Sequence, residues 1–167
     1  MGALTRAASG GLSDRWGGAR VTLGVFAVMI LGVAGVLYFL GIRTEPGAFW
    51  GFLASFLAPF AATGVGNAST FQMIPIICGK ERQKALVGSG LAEPEIRRQA
   101  EKEGAAIIGF TSAIAAFGAF FIPKSYGTSI AITGGPEAAL YLFILYYVTC
   151  VAATWWWYVR AGAEAKC

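Results

Sequence analysis

AFWGFLASFLAPFAATGVGNASTFQMIPIIC, residues Ala48 to Cys78, contains no charged side chain. A hydrocarbon core of about 30 Å is crossed by about 20 helical residues, so the run is more than long enough to span a bilayer. With no water available to its amides there, a single segment has to be helical. Its second half is odd for a lipid-facing helix: Gly64, Gly66, Asn67, Ser69, Thr70 and Gln72 all fall between Gly64 and Gln72.

Three more uncharged runs of spanning length flank this one, and the expected spans are 21–42, 48–78, 104–123 and 138–159. The composition agrees, with 56% hydrophobic and 13% charged residues and a mean hydropathy of +0.62; soluble domains carry about a quarter charged residues. The expected fold class is therefore all-α, a polytopic transmembrane helix bundle with the lipid bilayer as its first partner. The chain has no histidine, and Cys78, Cys150 and Cys167 show no metal-ligand spacing. These absences point away from a metal centre, a cofactor or an enzyme active site. No targeting segment is evident in MGALTRAASGGLSDRWGGAR, which lacks the basic start and apolar core of a signal peptide. It reads instead as the closing half of a further helix, 1–12, running toward the cytoplasm.

Orientation follows from lysine and arginine, which accumulate in short cytoplasmic loops. Arg15, Arg20, Lys80, Arg82, Lys84, Arg97, Arg98, Lys102, Arg160 and Lys166 fall on one side of the expected spans; Arg43 and Lys124 fall on the other. The C-terminus is thus expected in the cytoplasm. The net charge of +4 is in this distribution, and no nucleic-acid partner is expected. The polar stretch 79–103 reads as a solvated connection, with Glu95, Arg98 and Lys102 able to share one face of a short helix. Trp155, Trp156, Trp157 and Tyr158 beside Arg160 read as an interfacial aromatic belt.

Two groups of residues do not belong in lipid. Arg6 precedes Asp14 by eight positions, about 12 Å of helix, which brings it close to the mid-plane. A central arginine normally faces a cavity or a partner, and no acidic residue lies within a complete expected span. An anion or a residue from outside the chain would compensate it; snorkelling to the interface is the alternative. On the quoted run, Gly64, Asn67, Ala68 and Phe71 follow i, i+3, i+4, i+7 along one face. Asn67 lies roughly 17 Å from the Cys78 end, at a depth comparable to Arg6. Close packing of small residues explains the glycines of such a run, but it accounts less well for the polar cluster. The next span repeats the pattern with Gly109, Thr111 and Ser112, the last about 12 Å inside. Polar groups converging at one depth on several helices is how transporters build substrate sites.

Three stretches carry a resemblance. GGLSDRWGGAR, Gly10 to Arg20, resembles the loop motif of the major facilitator superfamily. GVGNASTFQMIP, Gly64 to Pro75, resembles the glycine-rich signature of that superfamily's nitrate/nitrite porter family, and GFTSAIAAFGAFFIPKSYGTSIAITG is similar to the family's following helix. The resemblance covers nearly the whole chain and implies the C-terminal portion of a twelve-helix fold, from the end of helix eight to helix twelve. It implies nitrate and nitrite as substrates, an inner-membrane location, and the N-terminal half of the transporter as partner. It further implies that Arg6 clamps the anion, with Gly64, Gly66, Asn67, Ser69, Phe71 and Ser112 around it, and that Asp14 and Arg15 belong to a cytoplasmic gate. Ala68 stands where the family often has glycine. Nitrate/nitrite exchange is the expected activity; proton-coupled uptake and a non-transporting remnant or partner subunit are the alternatives.

Overall fold

The apolar runs fold into four helices. The computed structural model describes residues 16–86 and 92–163; Arg6, Asp14, Arg15 and the expected partial span 1–12 lie outside the described residues. Helix α1 is Gly18–Gly41, α2 is Ala48–Leu86, α3 is Glu93–Thr133 and α4 is Glu137–Thr154, continued by a π-helical turn, Trp155–Val159. Each is long and apolar enough to cross a membrane, α4 with its π turn included. No strand occurs among the described residues. The chain is an all-α, multi-pass membrane bundle.

Local chemistry sets most helix ends. Gly17 precedes α1 with φ 83°, a conformation that glycine adopts without strain. Pro94 sits in the first turn of α3, where no amide hydrogen is needed, and Glu93 and Glu95 face the positive end of the helix dipole. At the other end Gly134, at φ 80°, turns the chain out of α3 and donates its N–H to the Ile130 carbonyl at 2.9 Å. The Ser129 hydroxyl then ties down the short connection, donating to the Gly135 carbonyl at 2.6 Å and accepting from the Ala139 amide at 3.3 Å.

Two helices run further than hydropathy suggests. The polar stretch 79–103 is mostly helical: α2 continues through Lys80 and Lys84, and α3 begins at Glu93 rather than near Gly104. Lysine, arginine and glutamate are good helix formers. They also bond along the surface, Arg97 to Glu101 at 3.1 Å and Lys84 to Glu81 at 2.9 Å. Arg82 reaches across to Glu103 and joins the two helices. At its far end α3 passes through Pro123 to Thr133. Lys124, expected in a connection, is therefore inside a helix. A proline removes one rung of the ladder, and the turns around it hold.

The helices run alternately up and down. Along α1 and α2, Gly18 meets Met73, Thr22 meets Ser69, Val25 meets Gly66, Gly32 meets Pro59 and Phe39 meets Gly51. These contacts recur at alternating steps of three and four residues over much of their length, the seam of closely aligned helices. Glycine makes the approach possible. A Cβ on Gly32 would fall 2.6 Å from Pro59 Cδ and 3.0 Å from the Ser55 carbonyl oxygen. Helix α4 packs on the other flank of α1, with Phe26 against Tyr147 and Val33 and Val36 clustered with Leu140. Tyr126 of α3 joins this cluster and meets Phe143 edge to face, ring centroids 5.4 Å apart. Elsewhere α3 is thinly covered: Phe110, Ile114, Phe117, Phe120 and Phe121 are all exposed.

Candidate functional site

Helix α3 touches α2 near one end, where Gly104 packs on Pro75 and Glu103 meets Arg82, and α4 near the other, at Tyr126 and Ser129. Between these contacts the helices part around a cavity of about 1400 Å³. Its α2 wall runs from Phe56 through Phe60, Thr63 and Gly64 to Asn67; α3 supplies Gly118, Lys124, Ser125 and Thr128; α4 supplies Tyr146 and Tyr147, and Met29 of α1 completes it.

The glycine-rich run thus has two faces with different tasks. Gly64 and Asn67, three positions apart, line the cavity. Gly66 turns to α1, where a Cβ would lie 2.8 Å from Val25 Cγ1. Ser69 also turns to α1 and is fully buried. Its hydroxyl pairs with that of Thr22 at 2.9 Å and donates to the Gly66 carbonyl, also at 2.9 Å. Ser69 is therefore a packing contact in this structure, not a wall of the cavity, because residues two apart in a helix point about 200° apart. Phe71 is half-buried, one turn beyond Asn67, where the α2 wall ends. Ser112 is exposed on α3, six residues or about 9 Å before Gly118, the first α3 residue of the wall. The structure brings Gly64 and Asn67 together on the cavity and leaves Gly66, Ser69, Phe71 and Ser112 outside its wall.

Several wall residues escaped sequence reasoning. Lys124 reads as part of a connection because a charge ends a hydropathy run. Tyr146 and Tyr147 lie in an apolar helix whose sequence does not mark one face as wet. Tyr126 lies past Pro123, beyond the expected end of its span. A usable signal was present: Gly118, Phe121, Ser125 and Thr128 are spaced three or four apart and continue the helical period across Pro123.

The electrostatics of the wall are one-sided. Among the described residues that line the cavity, Lys124 is charged and none is a carboxylate. The Thr63 and Ser125 hydroxyls bond their own helix, to the Pro59 and Ile122 carbonyls at 2.7 Å each. That leaves the Asn67 amide, the Thr128 and tyrosine hydroxyls and the Lys124 ammonium as groups able to donate to a ligand. Among the described residues no cluster of histidine, cysteine, aspartate and glutamate suits a metal ion.

The whole length of the chain matches proteins of one kind. It is 43% identical over 161 residues to the nitrate/nitrite transporter NarU of Salmonella typhimurium, covering 96% of this chain and 34% of that protein. It is homologous to part of the nitrate/nitrite transporters. The NarU of Escherichia coli is 39% identical over 166 residues, 99% of this chain and 36% of the relative. A "Probable nitrate/nitrite antiporter NarK2" of Thermus thermophilus is 30% identical over 174 residues, 100% of this chain and 33% of the relative. The chain thus spans about a third of the length of these homologous transporters. No family model matches it.

Proposed function

We propose that this chain forms the C-terminal portion of a nitrate/nitrite transporter of the major facilitator superfamily and supplies part of its anion path. The observation that carries the reading is the position of Gly64 and Asn67, from the glycine-rich run, on the wall of a cavity lined by a cation and, among the described residues, by no carboxylate. Similarity to NarU and NarK2 proteins supports the choice of anion. The whole path includes further helices, with the N-terminal half of the transporter as partner.

The chemistry suits a small oxyanion. Nitrate and nitrite carry one negative charge shared among oxygens, and amide, hydroxyl and ammonium donors satisfy those oxygens. In this reading Arg6 supplies a planar guanidinium, the Asn67 amide donates to one oxygen, and Gly64 lets the anion approach the backbone. Asp14 and Arg15 act at the cytoplasmic gate. Arg20, Arg82, Arg97, Arg98 and Arg160 all lie toward one end of the described bundle and Arg43 toward the other. This supports an inner-membrane orientation with the C-terminus in the cytoplasm.

Exchange of nitrate for nitrite is favoured over proton coupling by the absence of a carboxylate from the described cavity wall and by the antiporter relative. Proteoliposomes holding the complete transporter decide between them. Efflux of labelled nitrate that requires external nitrite and ignores a pH gradient supports exchange; uptake driven by the gradient without a counter-anion rejects it. In the same assay Arg6→Lys loses most transport, because an ammonium lacks the bidentate fork. Near-normal flux in that variant removes Arg6 from the site.

A further inference from the structure

We propose that Lys124 is a second cationic contact for the transported anion, holding a small monovalent oxyanion at the level of Asn67 by charge rather than by a fitted fork. This proposal rests on the anion-transport reading above. The pairings of α1 with α2 and α4, and of α4 with α3, set the height of Lys124 in the bundle. Phe26 opposite Tyr147, Thr22 opposite Ser69 and Tyr126 opposite Phe143 together place the Lys124 backbone level with Thr63. Asn67 is then about four residues, or roughly 6 Å of rise, deeper. Side chains on a helix lean toward its N-terminus. On α3 that direction leads from Lys124 toward the depth of Asn67. The ammonium follows it, lying 5.7 Å from the centre of the Phe120 ring, one turn back along α3. A lysine that merely snorkelled would carry its charge toward the nearer helix end, at Thr133.

The surroundings define the ligand. The described cavity wall carries no carboxylate that would neutralise Lys124, and a cation at membrane depth is stabilised by an opposite charge or by water. Aromatic rings at Phe60, Tyr146 and Tyr147 limit the polar surface available. The matching ligand is therefore small and singly charged. An ammonium is a compact charge on a flexible stem, and a site that must release its ion gains from a contact that attracts without locking.

Kinetics of nitrate counterflow in proteoliposomes test this in the complete transporter. Lys124→Gln raises the KM for nitrate about tenfold and changes kcat less than about twofold, whereas Lys124→Arg keeps KM within about threefold of the parent. An unchanged KM in Lys124→Gln overturns the proposal and leaves the transport reading standing. A parent protein that carries no nitrate overturns the transport reading, and this proposal with it. A second variant guards against a folding defect. Lys124→Cys, in a background with Cys78, Cys150 and Cys167 replaced by serine, reacts with a membrane-impermeant sulfonated thiol reagent, and saturating nitrate slows the reaction severalfold. Failure to react places position 124 outside the aqueous path and overturns the proposal; reaction at a rate that nitrate does not alter overturns it equally.

Discussion

The hydroxyls of Thr22 and Ser69 meet 2.9 Å apart across the buried seam of α1 and α2. The Thr22 hydroxyl also lies 2.9 Å from the Gly18 carbonyl oxygen, and the Ser69 hydroxyl lies 2.9 Å from the Gly66 carbonyl oxygen. Each hydroxyl carries one proton, so one of the two donates across the seam while the other donates to its own helix, and the pair is a local hydrogen-bonded joint between α1 and α2.

Removing that joint destabilises the hairpin without touching the anion path. Ser69→Ala lowers stability by about 1 kcal/mol, and a double-mutant cycle with Thr22→Val gives a coupling of about 0.6 kcal/mol, the scale of interhelical hydrogen bonds in membranes. Unfolding equilibria in detergent or lipid measure both. Nitrate KM in Ser69→Ala stays at the parent value; a tenfold rise would return Ser69 to the anion site.

Two glycines of α1 separate packing from helix propensity. Gly32→Ala forces its new methyl against Pro59 and the Ser55 carbonyl and destabilises by about 2 kcal/mol, in the range for overpacked cores. Gly24 has nothing within 4 Å of its Cβ direction. Gly24→Ala is neutral or stabilising by about 0.5 kcal/mol. Thermal unfolding of the two variants side by side shows opposite or clearly unequal shifts.

The Arg82 to Glu103 ion pair joins α2 to α3 with its side chains about a third to a half exposed. Solvent screening limits its value to at most about 1 kcal/mol. Glu103→Gln produces a small loss that shrinks in high salt, and the exchange Arg82→Glu with Glu103→Arg restores part of it. Chemical denaturation at low and high ionic strength checks the expectation. Loss of the same size at both salt levels would point to packing instead.

Asn67 offers a charge test of the cavity. Asn67→Ala removes one donor and lowers nitrate kcat/KM about tenfold; Asn67→Asp adds a carboxylate to a wall suited to anions and lowers it at least about a hundredfold. Initial rates of counterflow give the ratio. Equal effects from the two substitutions would mean that the anion does not pass beside Asn67.

Much of the architecture was legible because hydropathy is local. A run such as 48–78 can be judged by length and charge alone, and the homologous transporters and the four spanning helices agree with the class so read. The i, i+3 relation of Gly64 and Asn67 likewise follows from the helical period before any partner is known. What the period leaves open is rotation. Ser69 is as polar as Asn67, and its burial follows from which side of α2 receives α1.

Composition and spacing by themselves determined that this chain is a set of membrane helices, and that polar groups recur at one depth on α2. They did not determine which of those groups would look into a shared space. Packing decided that: the Gly32 to Pro59 and Thr22 to Ser69 contacts orient α2, and the separation of α3 between Gly104 and Tyr126 opens the cavity. Helix α3 also continues past Pro123 and brings Lys124 onto the cavity wall, because one missing amide hydrogen weakens a helix less than the hydrogen-bonded turns on both sides of it hold it.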